Sequence, residues 1–251
     1  MQYILAHDLG TSGNKATLFS ENGELVAAVT ERYPVYYSAG NRAEQDPDDW
    51  WNAVAKSTRQ LISHIDPADI AAVSFSGQMM GCVCVDKTGR PLRRALIWAD
   101  MRAKAQEARI RETIDETEFY HLTGHRLSPS YGGQKLMWVR ENEPEIYAAT
   151  YKMLNAKDYI ILRLTGEFVT EYTDASSTCL LDLEKLEWSP RLLDAMGIDP
   201  EKMPRLCRST DVAGLVTPEA AKLTGLVPGT RVVCGGGDGV CAAVGTGCVK
   251  E

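Results

Sequence analysis

Three β-prone runs lie within hairpin distance of one another at the start of the chain, and the first two are joined by the tight turn of DLGTSGNK, residues 8–15. Tyr3 to His7 enters Asp8, KATLFS follows the turn, and ELVAAVTE follows Glu21-Asn22-Gly23. Turn residues at those intervals predict an antiparallel meander. Asp46-Pro47-Asp48 then supplies an N-cap, a proline at the first helical position and an acid in the first turn. Beyond it Trp50, Val54, Leu61 and Ile65 recur at helical spacing, one apolar stripe that packs the helix on the sheet.

Further along, IAAVSFS reads as a buried strand running into Gly77, CVCVD as a strand ending at Lys87-Thr88-Gly89, and ALIWAD as another. Three antiparallel strands, a helix and then more strands predict an α/β fold with a mixed sheet and flanking helices, not a purely parallel doubly wound one. From Met101 to about Leu164 the composition becomes helical, around Ala103 to Glu116, Lys135 to Asn142 and Asp158 to Leu164; loops rich in Thr, Ser and Pro separate short elements up to Gly229. RVVCGGGDG is a strand that breaks into glycines ahead of a helix beginning at Val240 to Val244. With 251 residues and 44% hydrophobic content, the chain can bury a substantial core.

Several functions are excluded on composition. A formal net charge of -7 with 24% charged residues offers no basic footprint for nucleic-acid phosphates. No stretch approaches the ~18 to 20 apolar residues of a membrane span, and MQYILAHDLG has neither a basic leader nor a small-residue cleavage site, so a cytoplasmic location is expected. Seven cysteines without C-x-x-C spacing fit neither a disulfide framework nor a zinc site; Cys82 and Cys84 point to one face of a strand as small hydrophobes. His121 and His125 stand four apart, but Thr123-Gly124 disfavours a continuous helix between them.

Chemistry concentrates in two glycine-rich places. In DLGTSGNK, Gly10 and Gly13 let backbone N–H groups approach an anion, the hydroxyls of Thr11 and Ser12 add donors, and Lys15 adds positive charge. Asp8 at the strand end places a carboxylate where a hydrated magnesium ion could bridge phosphates. The same features also suit a plain turn. In GGGDG, residues 235–239, Asp238 stands at a strand end and helix start, where it can be an N-cap or a general base that removes a hydroxyl proton as the oxygen attacks phosphorus.

The segments DLGTSGNKATLF, SFSGQMMG, ALIWADMRA, QKLMWVREN and GGGDGVCAAVGTG occur in the order found in FGGY carbohydrate kinases, and the chain most resembles their xylulokinase-like branch. The resemblance implies a ribonuclease H-like (actin-like ATPase) fold. Residues 1–251 would be the sugar-binding N-terminal domain, with a helical insertion at about 101–229 and the second, nucleotide-binding domain absent, so that this piece alone would be inactive. Implied cofactors are ATP and Mg2+; the implied partner is a small sugar or polyol, a homodimer being left open. Residue by residue, Asp8 resembles the family's magnesium-associated carboxylate, and Gly10, Thr11, Ser12, Gly13 and Lys15 its phosphate turn. Asp238 resembles the catalytic base. Gln78, Met79 and Met80 resemble the sugar-contacting segment, Trp98, Asp100 and Arg102 its neighbouring strand and loop, with Asp238 and Gly239 also facing the sugar. Trp98 could equally be core, and Arg102 could pair with a surface acid.

Three departures stand out from the xylulokinase pattern. Met80 replaces a typical histidine, Gly239 an asparagine after the catalytic aspartate, and Gly132 a Pro, Ser or Thr three residues before Lys135. The first two remove hydrogen-bonding groups that would face a hydroxylated substrate. The expected activity is ATP-dependent phosphorylation of a ketose or polyol hydroxyl. A non-catalytic sugar-binding module on the same fold is the alternative; an actin-like or chaperone-like ATPase is disfavoured by the sugar-segment matches.

Overall fold

The computed structural model describes residues 1–249. Strands Tyr3–Leu9, Gly13–Ser20 and Leu25–Arg32 pair antiparallel in sequence order, as the turn spacing predicts. The two-residue period divides the first strand cleanly: Leu5, His7 and Leu9 are buried, while Asp8 projects exposed from the other face. Asp46 caps helix Pro47–Ile62 by accepting from the Asp48 N–H at 3.0 Å. Trp50, Val54 and Leu61 bury its stripe against the sheet; Ile65 lies beyond the helix end but joins the same core.

Strand Ile70–Gly77 runs parallel beside Tyr3–Leu9, and both Arg231–Val233 and Gly236–Gly237 run parallel beside Ile70–Gly77. Val212–Leu215 closes that edge antiparallel, completing a mixed sheet. Three neighbouring parallel strands therefore end side by side: Asp8 pairs with Ser76 and Leu9 with Gly77, while Gly236 pairs with Ser76 and Gly237 with Gly77. Ligands of open α/β sheets collect beyond such carboxyl ends.

Two of the expected strands do not join this sheet. Val83–Val85 pairs instead with Lys152–Leu154, and ALIWAD contributes only the two-residue strand Ala95–Leu96, beside Arg42–Gln45. A turn closed by Asp100 N–H donating to the Ile97 carbonyl ends the second early. Cys82, Cys84 and Leu96 lie in a second apolar core with Ile110, Phe119 and Leu136, separate from the core beneath the main sheet. Residues 101–229 divide between these cores, since helix Ala156–Thr165 and Ala213 of strand Val212–Leu215 pack into the core of the main sheet. Gly124, at φ 71°, caps helix Glu116–Thr123, so His125 lies outside the helix that holds His121.

His7 carries a pH dependence of its own. It is 2% exposed, stacked on Phe75 at 5.3 Å and hydrogen-bonded to Asn14 and Thr58. Burial lowers its pKa from 6.5 to about 4, against the smaller upward pull of the Asn14 hydrogen bond. The unfolded chain thus binds a proton that the folded chain refuses. Stability from this residue is complete above pH 6.5 and is lost as pH falls toward 4. Urea unfolding should show about 2 to 3 kcal/mol lost on this account between pH 7 and 4.5, and His7→Gln should flatten that slope; an equal slope in the variant contradicts the assignment.

Candidate active site

Beyond the ends of the three parallel strands, a cavity of about 560 Å³ is lined by Asp8, Ser76, Asp238, Gly239, Cys241 and Ala242. It adjoins a second of about 450 Å³ whose walls include Asp8, Lys15, Thr17, Ser74, Ser76 and Gly235. Asp8 and Asp238, 230 positions apart in sequence, share one cavity because the sheet aligns their strand ends. Lys15 faces Asp8 in register across the hairpin, on the open side of the sheet. A larger groove of about 760 Å³ runs outside helix Pro47–Ile62, lined by Trp51, Lys56, Arg59 and Arg163, and contains none of these residues.

The turn between the first two strands is fixed from behind. Gly10 N–H donates to the Gly13 carbonyl at 3.0 Å, and the Gly10 carbonyl accepts from Tyr33 Oη at 2.6 Å. Gln45 Nε2 donates to the Thr11 carbonyl at 2.7 Å, and Trp98 Nε1 donates to Thr11 Oγ1 at 2.8 Å. Among the described residues the backbone N–H groups of Thr11 and Ser12 donate to no protein acceptor. Those two amides, with the hydroxyl hydrogen of Thr11 and the exposed hydroxyl of Ser12, form a donor set suited to an anion. Lys15 stands beside it; Gly10 and Gly13 shape the turn.

Asp238 is exposed at the first position of helix Asp238–Gly245, whose N-cap is Gly237. Its Oδ1 accepts one bond, from the Gly239 N–H at 2.8 Å. Gly235 sits at φ 70°, and a Cβ there would lie 1.8 Å from the Phe75 carbonyl oxygen; a Cβ on Gly237 would lie 2.5 Å from Met79 Sδ. Glycine is needed at the first for conformation and at the second for the close approach of Met79.

The segment after Ile70–Gly77 is buried unevenly. Gln78 is 3% exposed, and its Nε2 donates to Gln45 Oε1 at 2.7 Å. The same Gln45 oxygen accepts from Trp50 Nε1 at 3.2 Å, and because indole only donates, this fixes the orientation of both carboxamides. Gln78 Oε1 is left buried without a partner among the described residues. Met80 adopts φ 61°, a left-handed conformation that a side chain resists. Its backbone is pinned on both sides, the N–H donating to Ser177 Oγ at 3.0 Å and the carbonyl accepting from Lys135 Nζ at 2.7 Å. Lys135 also donates to the carbonyls of Ile97 and Ser130, and its pKa is lowered to about 7 by burial.

Trp98 is 45% exposed over the Thr11 turn. Asp100 is fully buried, its carboxylate held by Arg102 at 2.7 Å and by the Ala43 N–H at 2.7 Å. Arg102 is engaged in turn by Glu44 at 2.7 Å and lies 4.8 Å from the Trp138 ring. Asp8, Lys15, Thr11, Ser12, Asp238 and Gly239 thus stand open at the strand ends, whereas Gln78, Asp100 and Arg102 lie behind that surface. Gln45 and Lys135, which join the turn, the Gln78 segment and the Trp98 loop, were not singled out as site residues from the sequence. A glutamine directly before the Asp46-Pro47 cap gives no local sign that its side chain will be buried between three elements.

A mixed sheet with a glycine-containing turn and two carboxylates gathered beyond neighbouring strand ends is that of a ribonuclease H-like α/β protein. Residues 3–245 match the model described as the FGGY family of carbohydrate kinases, N-terminal domain. The chain belongs to the FGGY family of carbohydrate kinases. It is 39% identical over 243 residues to the xylulose kinase of Escherichia coli (strain K12), covering 96% of this chain and 49% of that protein. It is 32% identical over 249 residues to the gluconokinase of Bacillus subtilis (strain 168), covering 99% and 48%. The crystal structure of ligand-bound xylulose kinase from Lactobacillus acidophilus superimposes with a TM-score of 0.91 at 32% identity, covering 98% of this chain and 50% of that one. The chain spans about half the length of the curated relatives it matches.

Proposed function

We propose that this chain forms the sugar-binding wall and carries the catalytic base of an ATP-dependent carbohydrate kinase that phosphorylates a ketose or polyol hydroxyl. The observation that carries the reading is the convergence of Asp8 and Asp238 on one cavity, beside a turn with unpaired N–H donors. Asp238 removes the proton of the substrate hydroxyl while its oxygen attacks the γ-phosphorus. The bond from that phosphorus to the bridging oxygen breaks, and ADP leaves with the electron pair. Thr11, Ser12 and Lys15 are suited to receive phosphate oxygens. A magnesium ion brought with the nucleotide would neutralise phosphate charge. Asp8, exposed and in no ion pair among the described residues, fits holding it through water, since magnesium keeps several waters and needs few protein carboxylates. Among the described residues no helix is long and apolar enough to cross a membrane.

Met80 and Gly239 shape the substrate preference. Met80 carries a thioether beside Ser130 Oγ at 3.9 Å, where a xylulokinase-type histidine would offer a hydrogen bond, and Gly239 offers no side chain. Two hydroxyl partners are therefore missing for D-xylulose. Each unpaired group costs ~1 to 3 kcal/mol, or roughly 5- to 150-fold. A panel of ketoses, polyols and sugar acids assayed with ATP on the complete protein that contains this chain should rank another compound above D-xylulose in kcat/KM. D-xylulose ranking first would overturn this specificity, and no phosphorylation of any member would overturn the kinase reading.

A further inference from the structure

The strand that delivers Asp238 is two residues long and made only of glycine, so no side chain of its own anchors it. On one side it pairs with Ser76 and Gly77. On the other it is tied to a single buried carboxylate. Glu171 Oε1 accepts from Thr173 Oγ1 at 2.6 Å and from Asp174 N–H at 2.9 Å. Glu171 Oε2 accepts from Ser209 Oγ at 2.8 Å and from Thr173 N–H at 2.8 Å. Each hydroxyl residue passes the restraint on. Thr173 Oγ1 accepts from the Gly237 N–H at 2.8 Å, and the Ser209 carbonyl accepts from the Gly235 N–H at 3.0 Å.

Both ends of the triglycine are thus referred to one side chain, which is fully buried and lies 3.3 Å from the Lys157 ammonium. Burial pushes the Glu171 carboxyl up, but Lys157 and the Thr173 and Asp174 donors together hold it below the usual range, so it remains an acceptor at both oxygens. A neutral acid would turn one oxygen into a donor and break one of these ties. We propose that Glu171 and Thr173 are positioning residues for Asp238, fixing through Gly237 the line along which its carboxylate meets the substrate hydroxyl. The inference rests on the reading of Asp238 as the base. Misplacement of a reacting group by about 1 Å can cost on the order of 100-fold in rate.

The test uses Thr173→Val, which keeps the shape and removes the Gly237 acceptor, in the complete protein that contains this chain. Expected is a fall in kcat of about 10- to 100-fold with sugar KM within about 3-fold. Thr173→Ser, which restores the hydroxyl, should recover kcat to within about 3-fold of the original. In an Asp238→Asn background Thr173→Val should add less than about a further 3-fold, because there is no base left to aim. An additive loss there, or an unchanged kcat in the single variant while Asp238→Asn alone is crippled, overturns the positioning role and leaves the base intact. Full turnover in Asp238→Asn alone overturns the base reading, and this inference with it. If Thr173→Val does not fold, as read by circular dichroism, Ser209→Ala tests the same tie from the Gly235 side and should show the same loss of kcat without loss of sugar affinity; unchanged kcat there overturns the proposal.

Discussion

Asp238→Asn in the complete protein is expected to lower kcat by about two to four orders of magnitude while leaving sugar KM within a few-fold. Asparagine keeps the size of the side chain and an acceptor oxygen, so a substrate hydroxyl can still bind to it; what it cannot do is take the proton. With Asp238 as the proposed base, the transition state loses its base while the ground state keeps its contact, which is the pattern of a kcat effect without a matching KM effect. Folding should not confound the measurement. The Asp238 side chain is exposed and accepts one bond, from the adjacent Gly239 N–H, and that bond survives with an amide oxygen. Near-original phosphorylation of the preferred sugar by the variant, with normal affinity, would show that another group takes the proton.

The features read correctly from the sequence are those whose causes are local. The meander follows from turn residues between short β-prone runs, and the Pro47–Ile62 helix from a cap, a proline and an apolar stripe within twenty residues. Asp8 and Asp238 each announced themselves as a carboxylate at a strand end beside glycines. That they share a cavity could not be read from either motif, because it depends on Ile70–Gly77 lying between their strands. The resemblance to a family supplied that pairing where periodicity could not.

What escaped the sequence reading is long-range or buried and polar. CVCVD and ALIWAD carry strand-like composition, but they pair with Lys152–Leu154 and Arg42–Gln45, partners that no local pattern names. Gln45 looks like an ordinary polar residue and is fully buried, serving Thr11, Trp50 and Gln78 together. One usable sign was present. Ala156–Thr165 sets Lys157 and Asp158 side by side among Tyr159, Ile160, Ile161 and Leu162, and two adjacent charges in so apolar a helix cannot both occupy a solvent-facing stripe. Charges buried that way must be paired.

That pairing makes Lys157→Met strongly destabilising, with an expected loss of about 3 to 5 kcal/mol, the usual cost of removing one member of a buried ionic group. The ammonium is fully buried, 3.1 Å from Asp158 Oδ1, 3.3 Å from Glu171 Oε1 and 3.0 Å from Asp174 Oδ2. Burial alone would lower its pKa, but Asp158, Asp174 and Glu171 raise it well above the ordinary lysine range, so it is charged throughout the neutral region. One cation cannot balance three carboxylates. Burial pushes the Asp174 carboxyl well above the usual aspartate range, against the pull of Lys157 and with the neighbouring Asp158 and Glu171 charges adding to the rise. Methionine fills a similar volume without the charge and leaves the buried Asp158 and Glu171 carboxyls with no counter-ion. Urea unfolding at pH 7 should show the full loss, and the gap between the two proteins should narrow at acid pH as the Glu171 carboxyl, pushed up by burial but held low overall with Lys157 beside it, takes up a proton. Asp174→Asn gives the contrast: it keeps the shape of the side chain and removes one negative charge from a site where three carboxylates face one cation, so its cost should stay within about 1 kcal/mol. A Lys157→Met loss no larger than that of Asp174→Asn would mean that the carboxylates escape to water or protons at little cost, and that Glu171 does not need the ammonium to remain ionised.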